Sequence, residues 1–240
     1  MFFTYYLYYI LGIVMLPGII MGIWAQAKVY SAFNEYNKID TKHGKSAKDV
    51  ARFMLDGGGC VDTKIQPIQG ELTDNFNPKT NTVSLSTAVY NQSTIASVGV
   101  AAHEIGHVFQ HKEKYAPIKI RNSLVPVMNI LGYFVWPLIL IGLLLELTYS
   151  IVAADILIYI AIGIYGLNTV FCLITLPVEL NASKRAYKML VATGEMDQDE
   201  AKKMKKVLDA AALTYVAALI TSILSLLRLV LFIFSIRNRD

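Results

Sequence analysis

The sequence predicts an α-helical membrane protein with four transmembrane helices and a mainly helical polar domain that contains a small β-sheet. The chain has 240 residues, of which 55% are hydrophobic and only 17% are charged, and its mean hydropathy is +0.46. This composition is too apolar for an ordinary soluble domain. The apolar residues fall into four segments long enough to cross a bilayer, which takes about 20 residues. Most polar residues lie between the first two segments, where helix-like and strand-like patterns alternate.

The four apolar segments divide the chain into five parts. They are Phe2–Ala25, Leu124–Leu145, Ile151–Leu176 and Ala210–Ile236. The first has no charged residue before its apolar run and no small-residue cleavage site after it, so we expect a retained anchor and not a signal peptide. The expected parts are a first transmembrane helix (residues 1–25), a polar domain (26–123), a transmembrane hairpin (124–177), a helix with a connector (178–209), and a fourth transmembrane helix with a short tail (210–240).

The distribution of lysine and arginine predicts that the polar domain faces the cytoplasm. Of the 22 basic residues, 12 lie between the first two apolar segments and 7 lie between Pro177 and Asp209. The intervening hairpin Glu146–Ser150 contains none. Because short loops rich in lysine and arginine stay on the cytoplasmic side, both chain termini are expected outside.

The polar domain is expected to begin with an amphipathic helix. Ser46 and Asp49 form a capping box at its start, and the glycines Gly57–Gly59 end it. Its apolar positions recur with a helical period and predict one buried face: Val50, Ala51, Met54 and Leu55.

Two short strands and a second helix are expected to follow. Val61–Pro67 resembles a strand, and Thr82–Ser86 alternates polar and apolar residues as a half-exposed strand does. The stretch Leu72–Asn81 between them has the composition of a loop and turn. Ser93 or Thr94 can cap the next helix, and Pro117 is expected to break the chain after it.

That second helix carries the most informative motif of the chain, His103-Glu104-Ile105-Gly106-His107. Two histidines four residues apart lie on one face of a helix, about 6 Å apart along its axis, so their imidazoles can share one Zn²⁺ ion. Glu104 lies on the adjoining face, where it can take a proton from a water that the ion activates. The alternative is a surface helix with two unrelated histidines. The small, apolar residues Val98–Ala102 argue against it, because they are typical of a helix buried on most sides.

A catalytic zinc needs a third protein ligand, and the chain offers few candidates. His111 continues the histidine spacing, but it lies about 12 Å from His103 along a straight helix and cannot reach the same ion. His43 lies in a lysine-rich loop, where we expect it to be solvated, although it stays an alternative. Glu179 is the better candidate because the hairpin returns it to the side of the membrane that carries the motif helix. The alternative is a glutamate that only marks the edge of the membrane.

Several segments in a fixed order resemble the bacterial YugP-like membrane zinc metallopeptidases. The matching segments span nearly the whole chain: Val100–His107, Tyr115–Pro117, Arg121, Leu124–Pro126 and Leu176–Ser183, with Leu72–Asp74, Pro78 and Leu85–Ser86 also in agreement. This family is similar to the gluzincin proteases of the HtpX and CAAX-prenyl protease type. The resemblance implies a gluzincin-like metallopeptidase domain in the bacterial cell membrane.

The resemblance also implies roles for individual residues. His103, His107 and Glu179 would hold one Zn²⁺ ion, and Glu104 would be the catalytic base. Related proteases place the third ligand in an E-x-x-A-D run; here Glu179 and Ala182 match, but Ser183 stands where the aspartate would orient a ligand. Further candidates for orienting a ligand or stabilising the oxyanion are His111, Arg185, Tyr187 and Tyr115.

Zinc peptidases of this kind hold an extended peptide against an edge strand beside the motif helix. We expect the strand formed by Thr82, Val83, Ser84, Leu85 and Ser86 to be that edge, with a core strand of a small sheet as the alternative.

The expected activity is hydrolysis of peptide bonds in membrane or membrane-adjacent proteins. The partners would be protein or peptide substrates and the lipid bilayer, without nucleic acid. Two other classes remain as alternatives. A zinc-binding scaffold without activity would be expected to lack Glu104, which is present. A small transporter, suggested by ionisable residues in or near the apolar segments, has no need of the motif on a polar domain.

Overall fold

The computed structural model of the protein describes residues 12–147 and 151–237, which form long helices and one small sheet. The start of the first apolar segment and residues 148–150 of the predicted hairpin lie outside the described residues. The elements in chain order are α1 (Leu16–Tyr36), α2 (Ala47–Gly57), β1 (Lys64–Ile68), β2 (Asn75–Asn77), β3 (Thr82–Ser86), α3 (Ile95–Lys112), α4 (Ala116–Leu147), α5 (Ile151–Ala192) and α6 (Gln198–Arg237).

The chain is organised into two compact units. The first, which we call the polar unit, comprises residues 24–119 and 177–214 and contains α2, α3 and the sheet. The second, the apolar unit, comprises residues 1–23, 120–176 and 215–240, and its described residues are almost all helical. The helices α1, α4, α5 and α6 each contribute residues to both units.

The helix α2 forms as the capping box predicts. The Ser46 side chain accepts a hydrogen bond from the Asp49 backbone N–H, and α2 begins directly after Ser46, at Ala47. The predicted apolar positions are all buried, together with Ala47. The helix ends at Gly57, and the next residue, Gly58, is also needed for packing, because a Cβ atom there would lie 2.1 Å from the Phe109 ring. Gly58 therefore allows Phe109 of α3 to pack against the end of α2.

The three strands form one sheet in the order β1-β3-β2. β1 runs parallel to β3, with Lys64 opposite Thr82 and Ile68 opposite Ser86. β2 runs antiparallel to β3, with Phe76 opposite Val83. β1 begins three residues later than the pattern predicted. β2 lies inside the stretch that was predicted to be a loop, so that prediction was wrong for three residues.

A tight turn makes this short β2 strand possible. The Asn77 side chain accepts a hydrogen bond from the Lys79 backbone N–H at 3.0 Å, which folds the chain back on itself. Asn81 then takes the left-handed conformation with φ 49°, which asparagine tolerates better than most residues, and β3 begins at the next position.

The core of the polar unit is a continuous apolar cluster around α3. It includes the fully buried side chains of Phe33, Leu55, Val83, Ile95 and Ile105. α3 itself is buried at most of its positions, as its small and apolar first half predicted. Burying a helix on most sides fixes its rotation, and therefore fixes where its two motif histidines point.

Two described helices are long and apolar enough to cross a membrane. They are Tyr159–Ala192 in α5 and Gln198–Leu231 in α6. Only 11% and 22% of their most apolar windows are buried, which distinguishes them from the core helices of a soluble protein. Both fall on predicted segments, the third and the fourth. α5 does not end near Leu176, however, because it continues through Pro177 to Ala192 as one helix.

Candidate metal centre

The helix α3 presents both motif histidines on one face. It begins at the predicted cap: the Thr94 side chain accepts a hydrogen bond from the Ser97 backbone N–H at 3.2 Å. The ring centroids of His103 and His107 lie 4.8 Å apart and the ring planes are nearly perpendicular, at 88°. The helix ends at Lys112, before Pro117, which lies instead in the first turn of α4, where a missing N–H costs little.

Glu179 of α5 completes a compact cluster with the two histidines. Its Oε2 atom lies 3.2 Å from His103 Nε2 and 3.5 Å from His107 Nε2. Ligand atoms at about 2.0–2.1 Å from a tetrahedral zinc are separated from each other by about 3.3–3.4 Å, so these two distances are close to edges of such a tetrahedron. The ligand atoms of all three residues lie within 4.8 Å of one another. The three residues form a group that could hold a metal ion, and Glu179 is only 3% exposed. This donor set fits zinc.

Gly106 explains how two helices bring these ligands so close. A Cβ atom at Gly106 would lie 2.6 Å from the carbonyl oxygen of Ala182, and 3.1 Å from its carbonyl carbon and Cα. These are backbone atoms of α5, so a side-chain rotation cannot relieve the clash. The glycine of the motif therefore permits the close approach of α3 to the segment of α5 that carries Glu179.

We expect Gly106→Ala to separate α3 from α5 and to weaken the metal site. The overpacking should destabilise the fold by about 1–3 kcal/mol and lower zinc affinity, because the ligand separations would grow. Thermal unfolding and zinc titration of the purified variant measure both effects. Gly57→Ala is a matched control, since nothing lies within 4 Å of its added Cβ. A Gly106→Ala protein with the stability and zinc affinity of Gly57→Ala would contradict the packing argument.

Both histidine rings are held from behind by uncharged side chains. Ser183 Oγ lies 3.1 Å from His103 Nδ1, and Gln110 Oε1 lies 2.9 Å from His107 Nδ1. With their Nδ1 atoms engaged, both rings turn Nε2 toward Glu179. Ser183, which stands where related proteases have an aspartate, therefore lies beside His103, and the structure adds Gln110, which the sequence reasoning missed.

The buried cluster perturbs the ionisation of its neighbours. Burial raises the pKa of Glu104, and the positive charge of His103 and His107 opposes that rise only in part. For His107, burial alone would lower the pKa, but the hydrogen bond to Glu179 and its negative charge outweigh burial and raise it. Glu104 is 8% exposed and His107 is 7% exposed, so solvent screens the charges of both groups only weakly.

His111 and His43 do not join this cluster. His111 is exposed, and its ring meets the edge of Phe76 in β2 with centroids 6.0 Å apart. His43 is also exposed, in the loop before α2. Among the described residues, the group that could hold a metal contains neither of them.

Two predicted oxyanion candidates are placed in other contacts. Arg185 Nη2 lies 2.8 Å from Glu113 Oε2, and Arg185 Nε donates to Asn181 Oδ1 at 2.7 Å. Tyr187 is half-buried and packs against the apolar core of the polar unit. Neither contact joins the residue to the ligands themselves.

The prediction that Thr82–Ser86 forms a substrate-binding edge was wrong. β3 is the central strand of the sheet, with β1 on one side and β2 on the other, and all five of its residues are buried. β1 pairs with all five residues, from Thr82 to Ser86, and β2 pairs with Thr82, Val83 and Ser84. Beyond β2, the Ser86 backbone N–H donates to Asp74, so with Leu85 next to it no free edge is left along which an incoming peptide could be added as a strand. The alternative, a core strand, is the one that the structure shows.

Asp74 is a further residue near the centre; the sequence placed it in a loop and in one of the segments that resemble the family, without assigning it a role. Its carboxylate accepts hydrogen bonds from the backbone N–H of Ser86 at 2.7 Å and from the Ser86 hydroxyl at 3.0 Å. Burial raises the pKa of Asp74, and these two bonds oppose the rise. The negative charge of Asp74 also acts on Glu104. Asp74 therefore anchors the segment before β2 to the end of β3.

The chain is similar to known proteins over nearly its whole length. A family model described as "Putative neutral zinc metallopeptidase" matches residues 11–234. Over 220 residues the chain is 38% identical to "Putative membrane protease YugP" of Bacillus subtilis (strain 168). The aligned region covers 92% of this chain and 95% of that protein. No significantly similar solved structure was found. The match extends over both units and includes the motif helix and the segment with Glu179, and the chain therefore belongs to the YugP-like family that this model describes.

Proposed function

We propose that this protein is a zinc-dependent endopeptidase, embedded in the bacterial cell membrane, that hydrolyses membrane or membrane-adjacent proteins during their processing or quality control. The observation that carries the proposal is Glu104, a buried carboxylate beside the cluster of His103, His107 and Glu179. Burying a fourth ionisable group next to three ligands costs free energy. A site that only binds zinc has no use for this group, whereas a hydrolase needs a base there.

Each residue of the centre then has a defined task. His103, His107 and Glu179 would hold one Zn²⁺ ion, which when bound supplies an acidified water molecule and a polarised scissile carbonyl. Glu104 takes the proton of the attacking water and passes it to the leaving amine. Ser183 keeps the ring of His103 in place. The burial of the cluster excludes bulk water, which strengthens each of these electrostatic interactions.

We propose four membrane spans, with the polar unit on the cytoplasmic side. The helices of the third and fourth segments have the length and the exposed apolar surface for this. In α1 and α4, large apolar side chains are also exposed, among them Ile20, Ile23, Ile130 and Tyr133. Anchoring the chain in the bilayer raises the local concentration of membrane substrates without any added contact.

The cytoplasmic orientation predicts the outcome of cysteine labelling in intact cells. In a background with Cys60→Ser and Cys172→Ser, an added Thr148→Cys should react with an impermeant thiol reagent, because that hairpin is predicted outside. Lys188→Cys should react only after the cells are opened, since Lys188 belongs to the basic cytoplasmic segment and its side chain is exposed. The reverse pattern, in which position 188 reacts in intact cells and position 148 does not, would place the polar unit outside.

Activity and metal content of the purified full chain test the proposed function. We expect about one zinc per chain. The protein should cleave a fluorescently labelled unfolded polypeptide, a chelator should stop the cleavage, and stoichiometric zinc should restore it. The alternative function is a catalytically silent zinc-binding scaffold, for which Ser183 in place of the aspartate of related proteases is the supporting observation. A protein that holds zinc and cleaves nothing would favour the scaffold.

A further inference from the structure

Gln110 is a polar side chain that is completely buried in the middle of the candidate metal centre. It lies three residues after His107 on α3, and its relative exposure is 0%. Its carbonyl oxygen lies 2.9 Å from His107 Nδ1. Its amide nitrogen donates to the carbonyl oxygen of Val178 at 2.7 Å and to Asn181 Oδ1 at 3.0 Å. A buried amide with this many partners is held in one orientation.

The two acceptors on α5 determine which way the Gln110 amide points. The carbonyl oxygen of Val178 can only accept, so the NH₂ group of Gln110 must face it. The oxygen of the Gln110 amide is then left facing His107, and a bond between them requires His107 to carry its proton on Nδ1. The Nε2 lone pair of His107 is thereby directed at the metal position. The Val178 carbonyl of α5 therefore determines, through Gln110, the tautomer that His107 needs as a metal ligand.

The orientation of Asn181 is fixed in the same way. Arg185 Nε donates to Asn181 Oδ1 at 2.7 Å, so this oxygen faces both Arg185 and the Gln110 amide. Arg185 is in turn paired with Glu113, just after the end of α3, at 2.8 Å. These contacts link α3 to α5 twice. Gln110 of α3 binds Val178 and Asn181, which flank Glu179 on α5, and Arg185 of α5 binds Glu113 just after the end of α3.

We propose that Gln110 is the positioning residue of the metal centre: one amide sets the tautomer of His107 and fixes the register between the helix of the two histidines and the segment that carries Glu179. The inference rests on the proposed zinc site. Gln110 touches no substrate and acts through the ligands. It replaces, with a neutral group, the carboxylate that often orients a metal-bound histidine.

Zinc binding by Gln110→Met tests the proposal, because methionine has a similar length and is apolar. The zinc dissociation constant of the purified full chain, measured by competition with a chromophoric chelator, should rise about 10- to 100-fold. With Co²⁺ as a spectroscopic probe, the visible absorption bands should also change, because the His107 ring is no longer held. Ser97→Ala is the matched control, since Ser97 is also fully buried in α3 and donates to Asn37 Oδ1 at 3.0 Å, outside the metal cluster.

The control separates positioning from general stability. Both variants should unfold at lower temperature than the unmodified protein, but Ser97→Ala should keep its zinc dissociation constant and its Co²⁺ spectrum. If Gln110→Met binds zinc as tightly as Ser97→Ala and shows the same spectrum, the inference is wrong. If Gln110→Met does not fold, Gln110→Ala takes its place, because it cannot overpack the buried site; it removes every hydrogen bond of the amide, and an unchanged dissociation constant there overturns the inference.

The metal-binding measurements, together with the cleavage assay, show whether the proposed function itself fails. An unmodified protein that binds neither zinc nor cobalt would refute the metal centre, and the inference about Gln110 with it. An unmodified protein that binds zinc without cleaving peptides would refute only the peptidase activity, and the change in zinc affinity would still decide the role of Gln110.

Discussion

Glu104→Gln is expected to reduce peptide hydrolysis by about 10²- to 10⁴-fold while the zinc content stays at that of the unmodified protein. Glutamine has nearly the same size, so the packing around position 104 is kept. It cannot take a proton from the attacking water. Glu104 is also outside the group of ligand atoms formed by His103, His107 and Glu179, so its replacement leaves that group intact.

Steady-state hydrolysis and metal analysis on the same preparation measure this prediction. Glu35→Gln is a suitable control, because Glu35 is an exposed acid on α1 and should be replaceable without effect. A Glu104→Gln protein that retains more than about a tenth of the activity would assign the base to another group. One that loses its zinc would instead make Glu104 a ligand.

The helix that carries the motif was predictable because its signals are local. Thr94 caps it, small and apolar residues predict its burial, and the spacing of four places His103 and His107 on one face. The pairing with Glu179 also followed from the sequence, through the expected return of the chain across the membrane. The structure places the Glu179 carboxylate within 3.5 Å of both rings.

The position of β3 in the sheet was not predictable from local pattern. Thr82–Ser86 alternates polar and apolar residues, which indicates one exposed face, yet both faces and both edges are covered. The sheet order depends on which distant segments pair, and β2 has only three residues, too few to give a periodic signal. Polar residues such as Ser84 and Ser86 are accommodated inside because Gln66 and Asp74 pair with their hydroxyls.

The contacts of the histidine Nδ1 atoms could be predicted from the sequence only in part. Gln110 is one turn beyond His107 on the same side of α3, a spacing at which side chains meet, so it could have been proposed as a partner of His107. Its bonds to Val178 and Asn181 could not, because they depend on how closely α5 approaches. Pro177 suggested a helix boundary, but α5 continues through it, and Glu179 therefore lies on a long helix and not at the start of a new one.

Glu179→Ala is expected to abolish zinc binding and activity together. The substitution removes one of three protein ligands and leaves two histidines whose Nε2 atoms converge on an empty position. It also removes the only carboxylate within the ligand group of the described residues, so the positive charge of the ion would no longer be partly neutralised there. A residual site with two ligands should lose its zinc to a chelator that the unmodified protein resists.

His111→Ala is the matched comparison, because it removes a histidine from the same helix one turn farther on. His111 is exposed and contacts the Phe76 ring, outside the group that could hold a metal. We expect this variant to keep its zinc and a large fraction of its activity. The variant should also keep its fold, because His111 is exposed and exposed substitutions change stability by only about 0.5 kcal/mol.

The most direct test of the assignment is therefore the zinc content of purified Glu179→Ala and His111→Ala after dialysis against a chelator. The assignment predicts that His111→Ala retains the zinc of the unmodified protein and that Glu179→Ala retains almost none. A Glu179→Ala protein with full zinc, or a His111→Ala protein without it, would contradict a metal centre made of His103, His107 and Glu179.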